Sequence, residues 1–377
     1  VKSKRIDEWM YRILLGTMAI VFLPIFSMVR LFRRLITKKS NQTTLPAHQA
    51  SDTSKKAPSY AVRFWRDNWF GDTDKSQNNR VFFWFLVPAF GSFLLFVILP
   101  FIQGLYLSMT NWTGLNTGRE VFIGLENYAK IFADFRFVFS FFRTFAYSVL
   151  NILVINVVAF LLALLVTQNL KFKNVYRAGF FMPNLIGGLV LGYIWQFIYN
   201  RALTSLGGAF ATSVLQRGDT ALVGLIAVVT WQYAGYIMMI YIAAIQNIPQ
   251  DLVEASTIDG ANSFQKLRTI TFPLVAQAFT VAMFLTLITS FKQFDTVMSL
   301  TQGGPPMVLP EWFGNFFGLT TLPVVNSTNL VAINIYQTAF TNYSLGEGQA
   351  KAIVFFFILL VVSLIQVQYN KKKEVEF

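Results

Sequence analysis

Two groups of residues in this 377-residue chain have the types and spacing to do chemistry, and neither is a catalytic constellation. The first is the stretch Gln246-Asn247-Ile248-Pro249-Gln250-Asp251-Leu252-Val253-Glu254-Ala255-Ser256-Thr257-Ile258-Asp259-Gly260-Ala261, which continues through Lys266 and Arg268 to Ile270-Thr271-Phe272-Pro273. Pro249 closes one helix and sits just before another, whose positive N-terminal end favours Asp251 and Glu254. Gly260 supplies a backbone break or a left-handed cap, and a second short helix then leads to Pro273. The second group consists of polar residues inside apolar runs. Thr286, Thr289, Ser290 and Gln293 recur at i, i+3, i+4 and i+7, a spacing that puts them on one helical face. Gln232, Tyr233 and Tyr236 gather near the middle of the preceding run. Polar groups in lipid are costly, so they face a cavity or another helix. Tyrosine rings can stack on the apolar face of a sugar while amides and hydroxyls pair with its hydroxyl groups, so the set suits a neutral polyhydroxylated ligand. Interhelical hydrogen bonding is the competing role for each of these residues.

Other chemistries are excluded. Cysteine is absent and His48 is the one histidine, in a polar stretch, which removes disulfides, thiol nucleophiles and Cys/His metal sites. No Gly-x-x-x-x-Gly-Lys-Ser/Thr loop is present, so the chain binds no cofactor of its own, and ATP with its Mg is expected on separate ATPase subunits. Lys292 and Asp295 read as a local ion pair rather than a proton relay. Asn151 and Asn156 are open to packing or cavity roles, and Gly188 with Gly192 forms a small-xxx-small pair suited to close helix packing.

The elements that must position these groups are membrane helices. The chain is 54% hydrophobic and only 13% charged, against about 25% charged in soluble proteins. Apolar runs near 82–105, 144–166, 178–199, 221–245, 274–299 and 349–369 are each long enough for a hydrocarbon core of roughly 30 Å. The expected fold is therefore all-α, a polytopic bundle of six core spans over 81–377. The net charge of +13 does not imply nucleic acid, because the basic residues cluster in loops on one side. Lys55, Lys56, Arg63, Arg66, Lys75 and Arg80 precede the first run. Lys171, Lys173 and Arg177 follow the second, and Lys371, Lys372 and Lys373 follow the last, whereas 300–348 holds no Lys or Arg. The basic side is expected to be cytoplasmic, with both termini and the 246–273 loop on it. Residues 1–37 form an N-terminal segment whose apolar part, 13–29, is short, interrupted by Pro24 and flanked by basic residues. An in-plane helix is favoured there over an extra span, and a cleaved signal peptide is disfavoured because no small-residue cleavage site follows. Residues 38–80 read as a polar cytoplasmic linker.

The loop resembles the signature of ABC importer permeases: Glu-Ala-Ala, three residues, Gly, nine residues, then Ile-x-Leu-Pro. Glu254, Ala255, Gly260, Ile270 and Pro273 match at the same spacing, with Ser256 and Phe272 as substitutions. The resemblance implies a type I importer fold in a bacterial cell membrane. It also implies a coupling helix, carrying Glu254, Ala255, Ser256, Asp259 and Gly260, that docks on an ATPase subunit. Phe122-Ile123-Gly124-Leu125-Glu126-Asn127-Tyr128, Tyr176-Arg177-Ala178 with Phe180-Phe181-Met182-Pro183, Phe291-Lys292-Gln293-Phe294-Asp295 and Thr301-Gln302-Gly303-Gly304-Pro305 look like the sugar (maltose-type) branch. That branch implies a second permease, two ATPase subunits, an extracytoplasmic solute-binding protein and a sugar held by the fourth and fifth spans. A non-sugar solute such as glycerol phosphate, or a secondary transporter, is the alternative. The stretch around 307–330 departs from shorter members and is expected to be an external insertion.

Overall fold

A computed structural model describes residues 74–371, apart from 116, 117, 119, 169, 209 and 210, with side chains from Val81 to Tyr369. The expected N-terminal helix within 1–37, most of the 38–80 linker, and Lys372 and Lys373 lie outside the described residues. Among the described residues, four helices are long and apolar enough to cross a membrane unbroken: Val81–Leu107, Phe135–Thr167, Gly218–Gln246 and Leu345–Tyr369. Two bent pairs complete the six expected spans when each is taken as one. They are Lys173–Leu185 with Gly188–Leu206, bent by 98°, and Ser263–Leu274 with Ala276–Phe291, bent by 69°.

The second and fourth spans form the centre of the bundle. Along the second, Tyr147, Asn151, Ile155, Ala159 and Ala163 recur every four residues and are fully buried. Leu150, Leu153, Val157, Leu161 and Leu165, on the other face, are exposed and apolar, as a lipid-facing surface must be. The buried stripe meets Leu225, Val228, Ile237, Met238 and Tyr241 of the fourth span. The first span buries none of its most apolar window, so it is peripheral. It meets the sixth through Phe101 and Phe356, and at Gly104, where a Cβ would run into the Gln349 amide.

The expected continuous fifth span, 274–299, is broken twice. Val275 forms the elbow after Pro273, and the helix stops at Phe291 before a separate helix, Asp295–Leu300. That short helix packs on Gly188–Phe197 of the third span. A Cβ at Gly188 would lie 2.9 Å from Asp295 Cβ, and one at Gly192 would collide with Ser299. The two glycines thus allow the close packing expected of them, and tertiary contact overrides the apolar run's tendency to continue as one helix.

The stretch around 307–330, expected to be an external insertion, carries a small hairpin beside the helical bundle. β1 (Pro306–Val308) pairs antiparallel with β2 (Val324–Asn326), and a short helix, Glu311–Phe316, lies between them. Leu309, Phe313 and Val325 cluster on Phe139 at the start of the second span. The Arg143 guanidinium donates two hydrogen bonds, of 2.8 and 2.9 Å, to the Ser327 carbonyl. Asn127, from the Phe122–Tyr128 segment, donates to the carbonyls of Ser108 and Thr110 and so fixes the end of the first span.

Lys351 is buried in the sixth span, and its ammonium is 3.0 Å from Asp134, 3.1 Å from Glu347, 3.0 Å from Thr338 Oγ1 and 3.3 Å from Asn334 Oδ1. Losing one member of a buried charged network strands the others. The substitution Lys351→Met is expected to lower stability by about 2 kcal/mol, read as a lower unfolding midpoint in detergent, because the two carboxylates remain partly exposed to water. An unchanged midpoint would show that the network does not hold the sixth span.

Candidate functional site

The residues expected to bind a ligand separate into two sets. Thr286 and Ser290, one turn apart, face the second span. Asn156 donates to Thr286 Oγ1 at 3.0 Å and accepts from the Tyr241 hydroxyl at 2.6 Å. Asn151 donates to Ser290 Oγ at 2.8 Å. Thr286 is 1% and Ser290 0% exposed, so neither can reach a ligand without the spans separating. These two residues, with Asn151 and Asn156, act as interhelical hydrogen bonds. The expected single stripe is not a stripe, because the helix ends before Gln293 and Thr289 points to a different side from its neighbours.

Thr289, Gln293 and Tyr233 do come together. With Gly188, Ile288, Lys292, Phe294, Asp295 and Thr296 they line a cavity of about 230 Å³. It lies where two spans are interrupted: at Lys292–Phe294 in the fifth, and beside Ile186–Gly187 in the third. Discontinuous helices are the usual framework of transporter sites near the bilayer midplane. Gln232 is buried next to the third-span break and donates through Nε2 to the Ile186 carbonyl at 3.2 Å. Its Oε1 has no hydrogen-bond partner among the described residues. Tyr236 is 36% exposed and is not among the cavity residues.

Both charges expected to pair are at the cavity, but among the described residues no ion pair joins Lys292 to Asp295. The break puts a non-helical segment between them, so the i, i+3 geometry of a continuous helix is lost. The cavity thus offers one cation, one carboxylate, a phenol, an amide and two threonine hydroxyls around Ile288 and Phe294. Such a mixture can exchange hydrogen bonds with a polyol in both directions. Gly188 and Thr296 were not legible as site residues. Gly188 lines the cavity through the same contact that its small size permits.

The 246–273 stretch is a second candidate surface. Gln250–Ile258 is a helix preceded by Pro249, with Asp251 in its first turn. It ends in a Schellman motif: Gly260 has φ +75°, its N–H bonds to Thr257 O, and the Ala261 N–H bonds to Ser256 O. Asn262 and Gln265 then form a reciprocal capping box that starts Ser263–Lys266. Lys266 Nζ donates to Thr257 Oγ1 at 2.8 Å, tying the two arms. Glu254, Ala255, Asp259 and Gly260 are exposed, and Ser256 is half-buried with its hydroxyl bonded to Val253 O. No residue of Gln250–Ile258 is buried, and Ile258 and Phe264 are 87% and 69% exposed. A nine-residue helix is marginal alone in water, so this one relies on its caps and on whatever covers its apolar side.

The sequence profile described as "Binding-protein-dependent transport system inner membrane component" matches residues 2–374. A protein of Thermoanaerobacterium thermosulfurigenes, "Probable starch degradation products transport system permease protein AmyD", is 43% identical over 80% of this chain and 98% of its own. The "Multiple sugar-binding transport system permease protein MsmF" of Streptococcus mutans is 28% identical over 79% of this chain and 98% of its own. Among solved structures, a chain of a bacterial ABC transporter that imports the acidic polysaccharide alginate superposes with a TM-score of 0.64 at 19% identity, covering 82% of this chain and 99% of that one. Its likeness is one of fold. With the capped loop, the broken spans and the match over nearly the whole length, this chain belongs to the family of inner-membrane components of binding-protein-dependent ABC importers.

Proposed function

We propose that the chain is one of two permease subunits that together translocate a sugar or oligosaccharide through a bacterial cell membrane by alternating access. The observation that carries the reading is the cavity at two helix breaks, where Tyr233, Thr289 and Gln293 converge. The relatives named for starch degradation products and multiple sugars support carbohydrate as the class. A second permease supplies the other half of the pathway, and an extracytoplasmic solute-binding protein delivers the ligand. Two ATPase subunits hold ATP and Mg, and one of them grips Glu254–Gly260 on the cytoplasmic side; both termini lie on that side. Closure of the ATPase pair pushes this helix, and Ser263–Leu274 passes the movement to the half-helix bearing Thr289. The ligand must bind the outward and inward states differently for the cycle to be coupled. A phosphorylated solute such as glycerol phosphate suits the cavity less well, because Asp295 shares it with Lys292 and offsets the one positive charge.

The deciding experiment reconstitutes the co-purified complex with its binding protein and follows ATP hydrolysis across a panel of sugars. At least one neutral oligosaccharide should stimulate hydrolysis. Stimulation by glycerol 3-phosphate alone would overturn the carbohydrate reading. In the same preparation, Tyr233→Phe with Thr289→Val should cut uptake about tenfold, the effect of losing two hydrogen bonds to ligand. Thr286→Val and Ser290→Ala should instead lower the unfolding midpoint and spare ligand preference. The reverse pattern would move the binding site to the second-span interface. Gly260→Pro forces φ from +75° towards −65° and removes a bonded N–H, so uptake should be lost although the spans still insert. Normal uptake with normal assembly would remove the coupling role from this loop.

A further inference from the structure

A larger cavity lies away from the helix breaks and shares no lining residue with the Tyr233 cavity. Its volume of about 470 Å³ is within the usual range for small-molecule sites, roughly 300–1,000 Å³. It is bounded by the start of the second span, β2 of the insertion, the helix Val331–Tyr336 with its continuation Gln337–Thr341, and the start of the sixth span. Most of these elements lie within the 300–348 stretch that lacks Lys and Arg, which is the extracytoplasmic side under the charge rule.

The lining is dominated by neutral groups that both donate and accept. Asn326, Asn329, Asn334, Gln337 and Asn342 contribute five carboxamides, and Thr341 a hydroxyl. The ionised residues cancel: Asp134 and Glu347 against Arg136 and Lys351. Lys351 is committed to both carboxylates, Asn334 Oδ1 and Thr338 Oγ1, which fixes those groups before any ligand arrives. Asn329 donates to Gln337 Oε1 at 3.0 Å, while its own Oδ1 is shielded and has no hydrogen-bond partner among the described residues. Phe139 adds an apolar wall. A pre-set array of amides with no net charge favours a neutral ligand that presents many hydroxyl groups.

From this geometry we infer that the extracytoplasmic cavity is a second carbohydrate subsite, which holds sugar units of the ligand outside the translocation cavity. The inference rests on the carbohydrate reading above. The test uses the full complex in lipid nanodiscs without its binding protein, with maltotriose as the probe and saturation-transfer NMR as the readout. In a Tyr233→Phe, Thr289→Val background, adding Gln337→Ala and Asn342→Ala should weaken the remaining maltotriose binding about tenfold. Asn326→Ala, on the hairpin, provides an independent variant if that combination fails to assemble, with at least threefold weakening expected. Undiminished binding in these variants, with a normal unfolding midpoint, would overturn the subsite. Loss of all binding on Tyr233→Phe and Thr289→Val alone would overturn it while leaving the proposed function standing. No binding of maltotriose to the wild-type complex, together with no carbohydrate-stimulated ATP hydrolysis, would overturn both. In a parallel ATPase assay with the binding protein added, variants that raise only the concentration of binding protein needed for stimulation would overturn the subsite and show that a protein segment fills the cavity instead.

Discussion

A backbone carbonyl or amide in the hydrocarbon layer must have a partner, and this constraint governs where the bundle can be irregular. Two spans are broken, and side chains from neighbouring helices meet carbonyls at the third-span break and at the end of the fifth span's short second helix. Gln232 Nε2 reaches the Ile186 carbonyl, Gln196 Nε2 reaches the Leu300 carbonyl at 3.1 Å, and Ser299 Oγ lies 3.4 Å from the Gly188 carbonyl. Each donor costs a buried polar side chain. The return is a polar cavity walled by backbone that a regular helix would have closed. Gln232 therefore contributes by satisfying a carbonyl at the third-span break, with no partner for its Oε1 among the described residues.

The same accounting explains the interface between the second and fifth spans. Asn151 and Asn156 have hydroxyl partners at Ser290 and Thr286, and Asn156 Oδ1 accepts from the Tyr241 hydroxyl of the fourth span. Such pairs set rotation and depth in a lipid-embedded bundle, where apolar contacts alone discriminate poorly between registers. The residues beside them, Thr289 and Tyr233, are thereby kept in place at the cavity wall.

The bundle was legible from the sequence because long apolar runs and a one-sided charge distribution are strong, local signals. The capped loop was legible for the same reason: Pro249, Gly260 and Pro273 act on the backbone wherever they stand. The division of the polar stripe was not legible. Spacing at i, i+3, i+4 and i+7 assumes an unbroken helix, and nothing local marks the stop at Phe291. That stop follows from contact with Gly188 and Gly192, about a hundred residues away in the chain. Lys351 was also invisible as a structural residue, since a lysine in an apolar run makes sense only once Asp134, over two hundred positions earlier, is beside it.

The 69° elbow at Val275 has a mechanical consequence. Thr289 lies fourteen positions beyond it, about 21 Å along a helix that rises roughly 1.5 Å per residue. A swing of only 10° about that pivot would carry its hydroxyl sideways by nearly 4 Å, on the order of a hydrogen-bond length plus the slack needed to break it. The crank is long enough that a small shove at its handle would remake the hydrogen bonds open to the Thr289 hydroxyl.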